Sequence, residues 1–217
     1  HEAGILQPQF NIYRPSKEKA LRLNVPSQVL INSYDNRVSQ LDTYLKRTLA
    51  SLEKKNYLQN SIVIITADHG QGLGENGFIG HANSTYHGET SIPMILLNFG
   101  EPFFETNEKA KFSNQIDIAP TIIDILGLPK PKTWIGNSIF EKRKTNFLFQ
   151  EENEYFSCIT EDNNIIYQYV YNKKTKKEEV FKVSQKDSIN INIIESIQPE
   201  ILSQIKDNFN NHFNSIQ

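Results

Sequence analysis

Apolar residues between Val29 and Leu52 recur in steps of three and four, at Leu30, Tyr34, Val38, Leu41, Leu45, Leu49 and Leu52, which puts them on one face of a helix. Pro26 and Ser27 suit its start. Lys54, Lys55 and Asn56 suit its last turn, where cations complement the terminal carbonyls. The pattern then changes. Ser61 to Thr66 is a β-branched run without polar alternation, which predicts a strand covered on both faces. Ile92 to Leu97 is a second such run, with its proline near the start, where a missing N–H is tolerated. Ile116 to Leu126 reads as a short helix closed by Gly127, Pro129 and Pro131. Strand, loop, strand and helix predict an α/β fold with a mostly parallel sheet sandwiched by helices.

Beyond about residue 145 the texture differs. Asn146 to Gln150, Tyr155 to Thr160, Ile165 to Tyr171 and Glu179 to Val183 are short strands separated by polar turns, with hairpins at Asp162-Asn163-Asn164 and Asn172-Lys173-Lys174. Pro199 to Phe209 carries Ile201, Leu202, Ile205 and Phe209 on one face and predicts a closing helix. The expected division is residues 1–145 for the α/β region and 146–217 for a small antiparallel sheet plus helix.

The 217 residues are enough to bury a core, and 38% hydrophobic with 22% charged residues describes a globular chain rather than a disordered or fibrous one. A formal net charge of -2 gives no global drive toward nucleic acid or an anionic membrane, so no nucleic-acid partner is expected. The single cysteine, Cys158, excludes an internal disulfide and reads as a small buried hydrophobe. No aliphatic run approaches the roughly 20 residues of a spanning helix. Because the chain opens on His1 without a signal segment, it reads as part of something longer, and a membrane tether is expected only through segments upstream.

Chemistry concentrates in Thr66-Ala67-Asp68-His69-Gly70-Gln71-Gly72-Leu73-Gly74-Glu75-Asn76-Gly77-Phe78-Ile79-Gly80-His81, which begins where the first buried strand ends. Ligands collect at the carboxyl ends of strands in open α/β sheets. A carboxylate beside an imidazole offers one oxygen and one nitrogen to a divalent ion that also binds an oxyanion. The glycines permit sharp turns and bring backbone donors near such an anion. An isolated Asp-His pair is more often a cap and a loop histidine; strand, Asp-His-Gly, glycine-rich loop, further histidine and second buried strand together are a much rarer combination.

These residues resemble the sulfatase family of the alkaline phosphatase superfamily. The likeness rests on Asp68-His69-Gly70, Gly72-Leu73-Gly74-Glu75-Asn76-Gly77, Gly80-His81, Ser84-Thr85-Tyr86 and Ile92-Pro93, in the family's order. Asp117-Ile118-Ala119-Pro120-Thr121 and Gly136-Asn137-Ser138 resemble a structural helix and turn of the same family. The resemblance implies Asp68 and His69 as ligands of a divalent metal ion, Ca²⁺ first, with Mn²⁺, Mg²⁺ or Zn²⁺ as alternatives. It implies His81 as the group on the ester's oxyanion or leaving oxygen, and His1 as a second oxyanion contact, matched to a His-x-Pro-Tyr segment whose Pro-Tyr pair this chain lacks. His87 has no counterpart and reads as a surface loop residue, His212 as a solvated helix residue, and Lys173, Lys174, Lys176 and Lys177 as a solvated hairpin tip.

Nothing in the sequence matches the family's metal-bound nucleophile, and Cys158 lacks the context for formylglycine formation. The expectation is therefore the C-terminal part of a sulfatase-like hydrolase acting on sulfate or phosphate esters, inactive without the first half of the same domain, and extracytoplasmic by resemblance. Two rivals are a phosphoethanolamine or phosphoglycerol transferase of the same superfamily, and a non-catalytic envelope domain that binds lipid or protein.

Overall fold

A computed structural model describes residues 6–16, 27–101, 113–141, 147–183 and 191–214. They belong to two compact units, His1–Gly100 and Glu101–Gln217.

In the first unit a 3₁₀ turn, Pro8–Phe10, precedes helix α1, Ser27–Lys54, and strand β1, Ser61–Thr66. Two very short strands, β2 (Gly72–Leu73) and β3 (Ile79–Gly80), a helical turn α2 (His87–Thr90) and strand β4 (Met94–Phe99) follow. The helix forms where the periodicity predicts it, but the apolar stripe is not its buried face: of the stripe only Leu30 is buried, while Tyr34, Val38 and Leu41 are exposed, Leu41 to 65%. The buried face carries Leu30 and Val29, packed with Leu73, beside Asn32, Ser33, Asn36 and Gln40. Its amides pair with the backbone of residues 7–15. Asn36 Oδ1 accepts the N–H groups of Ile12 at 2.9 Å and Tyr13 at 2.8 Å, its Nδ2 donates to Tyr13 O at 3.0 Å, and Gln40 Oε1 accepts the Gln7 N–H at 2.8 Å. Buried polar groups satisfied in this way cost little, which is how a polar stripe comes to face inward.

The mostly parallel sheet expected from the two apolar runs is corrected among the described residues, whose sheets are all antiparallel. β1 pairs with β4 from Ser61↔Phe99 to Thr66↔Met94. A β-branched run reports coverage of the faces and is silent on direction; the connection decides direction. Here the chain leaves β1 at Thr66 and returns beside it at Met94 without the long crossover helix that a parallel neighbour needs. Coverage is also partial, since Ile62 to Ile65 are half-buried.

In the second unit a 3₁₀ turn, Gln115–Asp117, runs into helix α3, Ile118–Ile125. Strands β5 (Phe147–Glu152), β6 (Tyr155–Asp162), β7 (Ile165–Asn172) and β8 (Glu178–Val183) then form a sheet in chain order, antiparallel throughout, as the meander reading expects. Asn163 and Asn164 take positive φ of 46° and 66°, the backbone of a tight two-residue hairpin. Helix α4, Pro199–Phe213, lays Ile205 and Phe209 on the sheet against Cys158, Tyr169 and Val180. Burying each of those two side chains is worth about 1.5–3 kcal/mol. His212 is not the solvated residue expected: its ring lies 4.1 Å from that of Phe149, because it continues the aromatic face of α4 that Phe209 and Phe213 begin. Lys173, Lys174, Lys176 and Lys177 are exposed at the β7–β8 turn. No described helix is long and apolar enough to cross a membrane.

Candidate active site at the end of the first strand

Asp68 and His69 follow β1 after a single residue, Ala67. Asp68 Oδ1 accepts the His69 backbone N–H at 3.1 Å, which turns the carboxylate back toward its neighbour, and Oδ2 stands 3.7 Å from His69 Nε2. His69 Nδ1 meets the Gly70 carbonyl at 2.7 Å. A carbonyl only accepts, so Nδ1 carries the proton and, in the neutral ring, Nε2 is the basic nitrogen. The imidazole of His81 stacks on that of His69, with ring centroids 4.1 Å apart and 25° between planes. The Asp68 side chain is 64% exposed and that of His69 33%, so the carboxylate opens to solvent while His69 Nε2 itself is buried. His1, the remaining expected contact, lies outside the described residues.

The loop between the two histidines folds as a miniature hairpin. Gly72 pairs with Gly80 and Leu73 with Ile79, and the turn is closed by Gly74 N–H to Phe78 O at 3.0 Å. Gly77 and Gly80 take φ of +81° and +112°, conformations that favour glycine, so the hairpin doubles back and returns His81 to His69. Gly70 is needed for a different reason: a Cβ there would lie 2.4 Å from Gly88 O and 2.9 Å from Glu89 C. Two of the expected anion-cradling donors are instead engaged by backbone, Gly70 N–H with Glu89 O of α2 at 2.8 Å and Gly77 N–H with Gly74 O inside the hairpin at 3.2 Å.

Sequence reading passed over Glu89, which is 5% exposed. Its Oε2 accepts the Asn83 N–H at 2.9 Å and its Oε1 the Ser84 hydroxyl at 2.8 Å. A carboxylate set between Gly88 and the apolar run that begins at Ile92 was the available signal. Ser84, Thr85 and Tyr86 are all buried beneath it. His87 is not the surface residue expected; it opens α2 half-buried, and burial lowers its pKa from the ordinary 6.5.

In the second unit the Asp117 and Gly136 motifs are structural, as expected. Asp117, 1% exposed, accepts Asn114 N–H at 2.7 Å and Asn137 N–H at 2.8 Å. Thr121 Oγ1 donates to Asp117 O and accepts the Ile139 N–H.

A divalent ion suits the donor set at Asp68 and His69. A ligating imidazole typically gives its other N–H to a carbonyl, as Nδ1 does to Gly70 O, and that bond aims the basic Nε2 to the side where the carboxylate stands. Among the described residues no group of three or more His, Cys, Asp and Glu is arranged to hold a metal.

The family model for sulfatases matches residues 6–128, more than half of the chain. The chain belongs to the sulfatase family. This sulfatase-family chain is 26% identical over 137 residues to the extracellular sulfatase SULF-1 homolog of Drosophila melanogaster, covering 58% of the chain and 12% of the relative. It is 34% identical over 84 residues to the 2,3-bisphosphoglycerate-independent phosphoglycerate mutase of Acetivibrio thermocellus, covering 39% of the chain and 15% of that enzyme. In fold it is similar to a solved structure from Bacteroides thetaiotaomicron assigned as a sulfatase, with a TM-score of 0.56 and 18% identity over 99% of the chain and 50% of the other. The chain thus spans half of that protein and a smaller share of the curated relatives.

Proposed function

We propose that this chain is part of a metal-dependent, sulfatase-like hydrolase that cleaves sulfate esters. The observation that carries the reading is the Asp68 carboxylate facing His69 Nε2, with the His81 ring stacked against it. Asp68 and His69 would hold the ion, whose charge, when bound, would stabilise the anionic ester. His81 would meet the ester oxygens, as an imidazolium stabilising developing negative charge or as an acid protonating the departing alkoxide. His1 would add a second contact to the oxyanion. The nucleophile and further ligands would come from the other half of the domain, and the outward apolar stripe of α1 at Tyr34, Val38 and Leu41 supports such a partner. An extracytoplasmic setting is supported by the word extracellular in the Drosophila relative's name.

A second reading is phosphoryl chemistry. The nitrogen ligand favours Mn²⁺ or Zn²⁺ over Ca²⁺, which prefers oxygen, and a phosphoglycerate mutase is among the relatives. The test is release of 4-nitrophenol from its sulfate and phosphate esters by the chain joined to the nucleophile-bearing half, with each metal in turn. Preference for the sulfate supports the first reading and preference for the phosphate the second. Turnover undiminished in Asp68→Ala overturns both.

A further inference from the structure

We propose that Glu89 is the positioning residue that holds the arms of His69 and His81 in register; this rests on the reading of those two histidines as metal ligand and ester contact. Glu89 grips both arms with different groups. Its backbone carbonyl accepts the N–H of Gly70, the residue whose own carbonyl fixes His69 Nδ1. Its carboxylate accepts the N–H of Asn83, whose side-chain amide donates to His81 O at 3.0 Å, and the hydroxyl of Ser84. One buried residue therefore reaches each histidine through a single intervening neighbour.

A carboxylate suits this position for a chemical reason. Two donors, an N–H and an O–H, converge on it, and only an acceptor-only group takes both without offering a proton of its own. Burying the charge is costly, and these charge-assisted bonds offset that cost. The backbone leaves no slack, since Gly70 lies against Gly88 and Glu89 too closely for a Cβ. With the carboxylate gone, the Gly70 arm would stay and the His81 arm would lose its anchor.

The experiment is histidine-selective ¹H–¹³C NMR of the whole chain and of Glu89→Ala and Glu89→Gln. Stacked imidazoles shift one another's ring protons upfield. In Glu89→Ala the His69 and His81 signals are expected to lose that mutual shift while His212 in the other unit keeps its position, and Glu89→Gln is expected to fall between. Unchanged His69 and His81 signals in folded Glu89→Ala overturn the proposal. Should that variant fail to fold, Glu89→Gln decides: displaced signals support the proposal and wild-type signals overturn it. A Mn²⁺ titration separates the underlying reading. Failure of Mn²⁺ to broaden His69 in the wild type removes the metal assignment and leaves the ring-shift result standing. Where it does broaden, Glu89→Ala is expected to weaken the effect at His81 about tenfold.

Discussion

The ring of His81 lies on the ring of His69 with centroids 4.1 Å apart, while His69 Nε2 faces Asp68 Oδ2 at 3.7 Å. One imidazole thus touches both the carboxylate and the second histidine. If Asp68 and His69 hold the cation and His81 serves the ester, the three separate in their response to substitution. Asp68→Ala and His69→Ala should each abolish Mn²⁺-induced broadening of the site's NMR signals, while His81→Ala should leave it within about threefold. In the joined enzyme His81→Ala should lower turnover roughly 10²–10⁴-fold, the usual worth of a general acid. Equal loss of metal binding in all three variants would contradict this division of roles.

Asp117 makes a second prediction, independent of the site. Both of its carboxylate oxygens accept backbone N–H groups, from Asn114 and Asn137, inside the fold. Asp117→Asn turns an N–H donor toward one of them. The expected loss is about 1–3 kcal/mol in urea denaturation, the cost of a buried donor left unmatched. Unchanged stability would mean the turn at Gly136-Asn137-Ser138 is held by other contacts.

Cys158 is fully buried on β6, and burial pushes its thiol pKa up to about 12. The thiolate is the reactive form, so a thiol reagent near neutral pH should label the native chain only as fast as it opens. One equivalent should react promptly in guanidinium chloride. Fast labelling of the native chain would place Cys158 on a mobile strand rather than in the core.

Sequence patterns read best where one local rule sufficed. Asn163 and Asn164 marked a hairpin because few other residues adopt their backbone, and Ile205 and Phe209 marked the inner face of α4. The stripe on α1 was legible as a stripe, but which side turned inward depended on Asn36 and Gln40 meeting the backbone of residues 7–15, a pairing between distant segments. The direction of β4 was hidden for a similar reason, since it depends on a loop returning to Thr66 and Met94 rather than on the strand's own residues. At the site, the Asp68, His69 and His81 motif stood out by residue type, whereas Glu89 announces itself only once Gly70 and Asn83 are seen to converge on it.

His87 provides a pH prediction. Burial lowers its pKa, so the unfolded chain binds this proton more readily than the folded one. The contribution of His87 is present above the unfolded value of 6.5 and is lost as pH falls through the lowered folded value. His87→Gln cannot be protonated. Its stability, from urea midpoints, should fall less than that of the wild type between about pH 7.5 and pH 5. Parallel curves would show that His87 stays solvated.

Gly70 links stability to the site. An added methyl would come within 2.4 Å of Gly88 O and 2.9 Å of Glu89 C, which are backbone atoms that cannot rotate away. Gly70→Ala must therefore push α2 from the loop, stretching the Gly70 N–H to Glu89 O bond of 2.8 Å and tilting His69 away from His81. The expected cost is about 1–3 kcal/mol of stability, typical of overpacking. Because the strain falls beside the imidazoles, their mutual upfield shifts should shrink in the folded variant as well. Loss of stability with the ring signals unmoved would mean that the loop absorbs the methyl elsewhere and that the histidine stack does not depend on this contact.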